Sequence, residues 1–263
     1  MIKVSDIVKF FGHAVPNAMK MDFDNVGFLV GDGSRDVNRV LVALDITDEV
    51  VDEAIEYGAE LIVSHHPMFF QLKSVTDGSA EGRKIVKLLS NGISAICLHT
   101  NLDSVEGGVN DALLEVLGLE KIAILEVEET LPDGRVYGCG RVGKLAQPMD
   151  IQSFLKKTKA ALDANGLRYH DAGKPVSKVA VCGGSGGSMI ADVLRHGCDT
   201  YVTADVKYDQ FLTAKECGLN IIDGDHFCTE NVVIPVLENM IKTRFSELEV
   251  FVSMKHKQTA QFF

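Results

Sequence analysis

The chain has 263 residues, 46% of them hydrophobic, and a formal net charge of −11. Length and hydrophobic share suit a folded protein with a sizeable core, arranged as one large domain or two lobes. The acidic balance argues against broad binding to nucleic acid or to an anionic membrane, because no surplus of Lys and Arg is there to neutralise phosphates.

In chain order, the first segment, "MIKVSDIVKFFGHAV", carries Asp6 and lacks a long apolar run, so it reads as a short amphipathic helix rather than a signal peptide. No later stretch approaches the roughly 20 apolar residues that span a bilayer. A soluble, cytoplasmic protein without a membrane partner is the expectation. "VGFLV" (26–30) and "RVLVALD" (39–45) read as strands. A helix follows over 47–58, where Thr47 can cap its start and Gly58 its end. "ELIVS" (60–64) is a strand, 80–92 a helix, "ISAICLH" (93–99) a strand and 107–118 a helix. A charged segment, 125–145, holds the turn signal Pro132-Asp133-Gly134, which suits a hairpin within the second lobe. The alternation then resumes, with helices over 149–166, 188–197, 208–218 and 229–245 and strands over 178–184, 199–205, 219–223 and 248–253.

Strands alternating with helices of this length predict an α/β fold of two lobes, each of mainly parallel sheet with flanking helices. The segment near 126 is the expected boundary, giving lobes of 1–125 and 126–263, with the part from about 226 able to pack back on the first lobe. The six cysteines form no C-x-x-C pair, and several sit in apolar runs, which points to buried free thiols and not to a zinc knuckle.

In open parallel sheets, ligands bind outside the carboxyl ends of the strands. Those ends here carry Asp45, the pair His65-His66 before Pro67, His99, and Asp223 followed by Asp225 and His226. Proline keeps His66 extended, so two neighbouring imidazoles can converge on one pocket or serve two metals. A lone histidine at such a place more often just hydrogen-bonds a loop; His-His-Pro with further His and acid at other strand ends favours metal. His226 and Glu230 are spaced i, i+4, which places both on one face if a helix starts there. Asp103 precedes a helix and reads either as a ligand or as an ordinary cap. Together His65, His66, Asp103, His226 and Glu230 exceed what one four-coordinate catalytic metal takes and suit two divalent ions sharing a carboxylate. With imidazole and carboxylate but no thiolate, Zn, Fe, Mn, Co and Ni are equally acceptable.

Other features have plainer readings. The glycine run "CGGSGGS" (182–188) lacks a phosphate-loop pattern and reads as a tight strand-to-helix turn, with contact to a substrate phosphate as the alternative. Asp22 and Asp24 read as turn residues. Ser64 has no nucleophile-elbow context.

The motifs "DNVGFLVG", "IVSHHPMFF", "LHTNLDSVEGGVND", "VAVCGGSGGS", "VTADVKY" and "DGDHFCTE" stand in the order found in the Nif-three-like family, whose members are often called GTP cyclohydrolase I type 2 homologues. The chain resembles its short form, without a central insertion. That resemblance implies a dinuclear metal centre in a cleft between two α/β lobes, a ring-shaped homohexamer, and His65, His66, Asp103, His226 and Glu230 as the metal ligands. It implies a metal-dependent hydrolase acting on a nucleotide or related phosphorylated small molecule, with cyclohydrolase-like ring opening of GTP as the named candidate. His99 is then the candidate proton-transfer group, or an orienter beside Asp103. The alternative is a non-catalytic metal-binding or metal-handling protein acting through partners. Two positions depart from the family pattern: Asp225 stands where glycine is usual, and Asp209 follows Tyr208 where histidine is common.

Overall fold

The structure, a computed structural model, describes residues 1–262. The chain forms two compact α/β units: Met1–Leu102 with Ile234–Lys257, and Asp103–Val233 with Gln258 onward.

The first unit holds β1 (Ile2–Lys3), α1 (Val4–Ala14), β2 (Gly27–Val30), β3 (Asp36–Val37), β4 (Arg39–Ala43), α2 (Asp48–Tyr57), β5 (Leu61–Ser64), α3 (Ala80–Ser90) and β6 (Ser94–Cys97). It also holds α10 (Ile234–Arg244) and β13 (Glu249–Val252). Its sheet runs β13-β4-β5-β6-β2, parallel except for the edge strand β2. Strands β5 and β6 are buried at every position, as a sheet covered on both faces requires. Its core packs Leu41, Val50, Ala54, Ile62, Ile85 and Leu88. Helix α2 begins where the Thr47 hydroxyl accepts the Val50 N–H at 3.3 Å, and ends at Gly58 with φ +65°.

The short helix α4 (Thr100–Ser104) contains the division between the units. The second unit holds α5 (Val109–Val116), β7 (Glu120–Thr130), β8 (Val136–Met149), α6 (Ile151–Ala161), β9 (Arg168–His170), β10 (Val176–Val181), α7 (Ile190–Arg195), β11 (Thr200–Thr203), α8 (Tyr208–Cys217), β12 (Asn220–Asp223) and α9 (His226–Asn231). Its sheet order is β7-β8-β10-β11-β12-β9. Only the pairs β10-β11 and β11-β12 are parallel; β8 and β9 flank them antiparallel, and β7 pairs antiparallel with β8. The charged segment is the hairpin β7-β8, turning at Pro132–Gly134, so position 126 lies inside a strand. The core of this unit includes Leu113, Phe154, Val179, Val202 and Ile222.

One expected helix is two. The stretch 229–245 breaks between α9 and α10, where Pro235 in the first turn of α10 has no N–H to continue the earlier helix. The cysteines are free and buried, apart from exposed Cys217. Among the described residues no helix is long and apolar enough to cross a membrane.

Candidate metal centre

In the first unit, the sheet delivers three histidines to one place. The ladder does not stop at Ser64: the His65 N–H donates to Ala43 O at 3.3 Å and the His66 N–H to Leu44 O at 2.9 Å. The Ser64 hydroxyl then donates to His66 O at 2.9 Å and fixes the bend at the strand end. His99 arrives from the end of the neighbouring strand β6. The ring centroids of His65, His66 and His99 lie 4.9, 5.3 and 5.4 Å apart. Their candidate ligand atoms all fall within 4.8 Å of one another, a group that could hold a metal ion.

Each imidazole is oriented through Nδ1. His65 Nδ1 meets Leu98 O at 2.8 Å, His66 Nδ1 meets Asp45 Oδ1 at 2.7 Å, and His99 Nδ1 meets Asp24 Oδ1 at 2.8 Å. Carbonyl or carboxylate partners of this kind set the tautomer in which Nδ1 carries the proton and Nε2 coordinates. Asp24, read from sequence as a turn residue, is thus an organiser of the site. Burial opposes its ionisation, but hydrogen bonds from His99 and Thr100 outweigh it and hold the carboxyl far below its usual range. The signal available for Asp24 was its place in "DNVGFLVG", not its local spacing.

In the second unit, Asp103 and His226 both approach the Glu230 carboxylate. His226 and Glu230 occupy one face of α9, with Nε2 and Oε2 3.1 Å apart, and Asp103 offers an oxygen within 4.8 Å of a Glu230 oxygen. His226 Nδ1 is held by Asp205 Oδ2 at 2.7 Å. The hydrogen bond to Glu230 lifts the His226 pKa to about 9, with burial opposing and Asp205 adding to the rise. A cationic group is therefore stabilised between two carboxylates, which is the electrostatic setting a divalent ion uses.

The glycine run serves this cluster. Its N–H groups turn inward: Gly183 donates to Asn110 Oδ1, Gly184 to Thr229 Oγ1 and Gly186 to Thr203 Oγ1. They are not displayed as a phosphate cradle. Gly184 has φ +62°, and a Cβ there would lie 2.1 Å from Glu230 Oε1, so the turn makes room for that carboxylate.

The two departures have local explanations. Asp225 holds φ +71°, a conformation that favours glycine. Its side chain caps α9 by accepting the Cys228 N–H at 3.2 Å. Asp209 sits in the first turn of α8, where an acid complements the helix dipole. The remaining strand-end acid, Asp223, pairs with Arg168 and accepts the Val206 N–H at 3.0 Å.

Imidazole and carboxylate donors, with every histidine of the group held through Nδ1 by a carbonyl or carboxylate, fit divalent metal. Fold and donors together define an α/β protein with His, Asp and Glu groups that could hold metal ions. Comparison with known proteins makes this specific. A profile described as Duf34/NIF3 (NGG1p interacting factor 3) matches residues 2–259, and the chain belongs to that family. It is 38% identical to the GTP cyclohydrolase 1 type 2 homolog of Clostridium perfringens, over 99% of this chain and 100% of the relative. The namesake from Clostridium acetobutylicum is 35% identical over 92% of this chain and 90% of its own length. Among solved structures, the Staphylococcus aureus protein SA1388 superposes with a TM-score of 0.90 at 28% identity, covering 100% of this chain and 99% of that one.

Proposed function

We propose that His65, His66, Asp103, His226 and Glu230 hold two divalent metal ions per chain, and that the protein is a metal-dependent hydrolase acting on a nucleotide or related phosphorylated compound. The observation that carries this reading is the shared orientation of the histidines: His65, His66 and His226 each commit Nδ1 to a carbonyl or carboxylate. A carbonyl or carboxylate on Nδ1 directs Nε2 towards a ligand, and such outer partners accompany almost all metal-ligating histidines. Glu230, close to both His226 and Asp103, suits a bridging carboxylate. A bound pair of divalent ions supplies Lewis acidity and a water acidified towards neutral pH.

The chain's own residues do the rest. Asp45 and Asp205 orient His66 and His226. Asp24 holds His99 by Nδ1, so its Nε2 edge is the one that exchanges a proton with substrate. The relatives' name supports GTP as the first substrate to try. Homohexameric assembly and cytoplasmic residence follow from the family resemblance and belong to the same proposal.

Metal content per chain, measured by mass spectrometry on protein purified without a metal-binding tag, tests the centre. About two ions should be present in the wild type and lost in His65→Ala and Glu230→Ala with the fold intact. Turnover of GTP, read as product formation by chromatography and, for ring opening, as loss of purine absorbance, separates a hydrolase from a metal-handling protein, which would carry ions and turn over nothing. A wild type that binds no stoichiometric metal after reloading refutes the centre.

A further inference from the structure

The turn that carries Asp24 also fixes an exposed aromatic ring. The Asp24 N–H donates to Met21 O at 3.0 Å and closes a turn containing Phe23. Thr100 clamps that turn at both ends: its hydroxyl oxygen accepts the Met21 N–H at 2.9 Å, while its own N–H and O–H donate to Asp24. Asn25 Nδ2 donates to Phe69 O at 2.9 Å and ties the same turn to the segment following His66-Pro67. These bonds hold Phe23 and Phe70 with ring centroids 6.2 Å apart and a tilt of 47°. Phe70 in turn lies 6.0 Å from the His99 ring. All of these residues belong to the first unit.

Phe23 is 65% exposed and Phe70 52%. Single exposed apolar residues are ordinary. Two phenylalanines in ring contact, anchored by backbone and side-chain hydrogen bonds beside three converging imidazoles, are not explained by packing, because neither ring fills the core. Rigid anchoring of this kind is what a preorganised binding surface needs.

We propose that Phe23 and Phe70 form a platform for a planar heteroaromatic ring of the substrate, which places that ring next to the His65, His66 and His99 cluster. This rests on the proposed function and narrows it to compounds bearing a heteroaromatic base, as against phosphorylated sugars or peptides. At a tilt of 47°, a ligand ring stacked with an offset on one phenylalanine meets the other obliquely and touches both. Stacking tolerates any base, so the platform selects for a ring, and its neighbours decide which ring. Phe23 and Phe70 are specificity residues; they hold no metal and move no proton.

The test uses the full chain, with metal content measured on every sample. Binding of GTP, ATP, CTP and a pterin is compared with binding of inorganic tripolyphosphate, which has no ring. Saturation-transfer NMR reports which ligand protons touch the protein, and calorimetry gives the affinities. Ring protons should saturate more strongly than ribose protons, and tripolyphosphate should bind at least tenfold more weakly than the best nucleotide. Phe23→Leu and Phe70→Leu should each weaken that nucleotide by roughly five- to a hundredfold. Both should leave metal content and tripolyphosphate binding unchanged, and Phe70→Tyr should retain affinity. Wild-type affinity in both leucine variants, tripolyphosphate binding as tight as the nucleotide's, or no binding of any ring compound at millimolar concentration would each overturn the platform. Failure of the metal reading shows separately, as absent metal in a wild type whose ring binding still depends on Phe23 and Phe70.

Discussion

The Glu230 carboxylate lies where a side chain at position 184 would begin: a Cβ on Gly184 meets Glu230 Oε1 at 2.1 Å. The clashing atom is the end of a flexible side chain, so Gly184→Ala should move the carboxylate rather than break the turn. Backbone strain at φ +62° adds a stability loss of about 1 kcal/mol. Gly197 provides the control, since it has φ +64° with nothing within 4 Å of a Cβ. Both alanine variants should lose similar stability in urea, but only Gly184→Ala should lose metal by mass spectrometry. Equal metal content in the two would show that Glu230 is not held by this turn.

Asp225 combines a favourable cap with an unfavourable backbone. Glycine at an N-cap costs only a few tenths of a kcal/mol relative to Asp, whereas relief of a left-handed conformation returns about 1 kcal/mol or more. Asp225→Gly should therefore stabilise the protein by roughly 0.5–1.5 kcal/mol. Asp225→Ala keeps the strain and loses the cap, so it should destabilise by about 1 kcal/mol. Opposite shifts in the urea midpoint check the assignment; shifts of the same sign refute it.

A pH effect on stability is expected from His256, whose Nδ1 accepts the Leu44 N–H at 2.8 Å. Burial lowers its pKa, with Asp45 and Glu53 opposing. A depressed histidine pKa means that the unfolded chain takes up the proton first. The stabilising contribution is thus complete above the unfolded value of about 6.5 and is lost as pH falls below it. The urea midpoint should fall between pH 7.5 and pH 5.5, and by less in His256→Gln, whose amide oxygen can accept the same N–H. An identical pH slope in that variant would assign the effect elsewhere.

Much of this architecture is legible in the residues because the local signals agree. Thr47 and Gly58 delimit α2, and the apolar runs ending in His65, His99 and Asp223 are buried strands. The i, i+4 spacing of His226 and Glu230 puts them on one helix face, because α9 starts at His226 itself. Three things were hidden. Strand β9 is three residues long, too short for a period-2 pattern to show. The turn Pro132-Asp133-Gly134 announces the β7-β8 hairpin, but the charge on its exposed positions hides the length of its strands and makes the segment read as a lobe boundary. Asp24 acts on His99 across 75 positions of sequence, and no local pattern carries a contact of that range.

That Asp24–His99 contact gives the sharpest mutational expectation. Ionised Asp24 accepts from His99 with Oδ1 and from the Thr100 N–H and hydroxyl with Oδ2. Asparagine has the same shape but only one acceptor oxygen. Two Thr100 donors outbid one imidazole, so the amide oxygen of Asp24→Asn should turn to Thr100 and its NH2 to His99. Nδ1 of His99 must then accept, which moves the ring proton to Nε2. Long-range 1H–15N spectra of the histidine rings read this directly: the wild type should show the Nδ1–H form of His99 and the variant the Nε2–H form. Activity on any substrate that needs His99 should fall by roughly 10- to 100-fold, the usual cost of losing a carboxylate that orients a functional histidine. Metal content should be the same in both proteins, because His99 is not among the five proposed ligands. Loss of metal together with the tautomer change would instead make His99 a ligand and move proton transfer to another group.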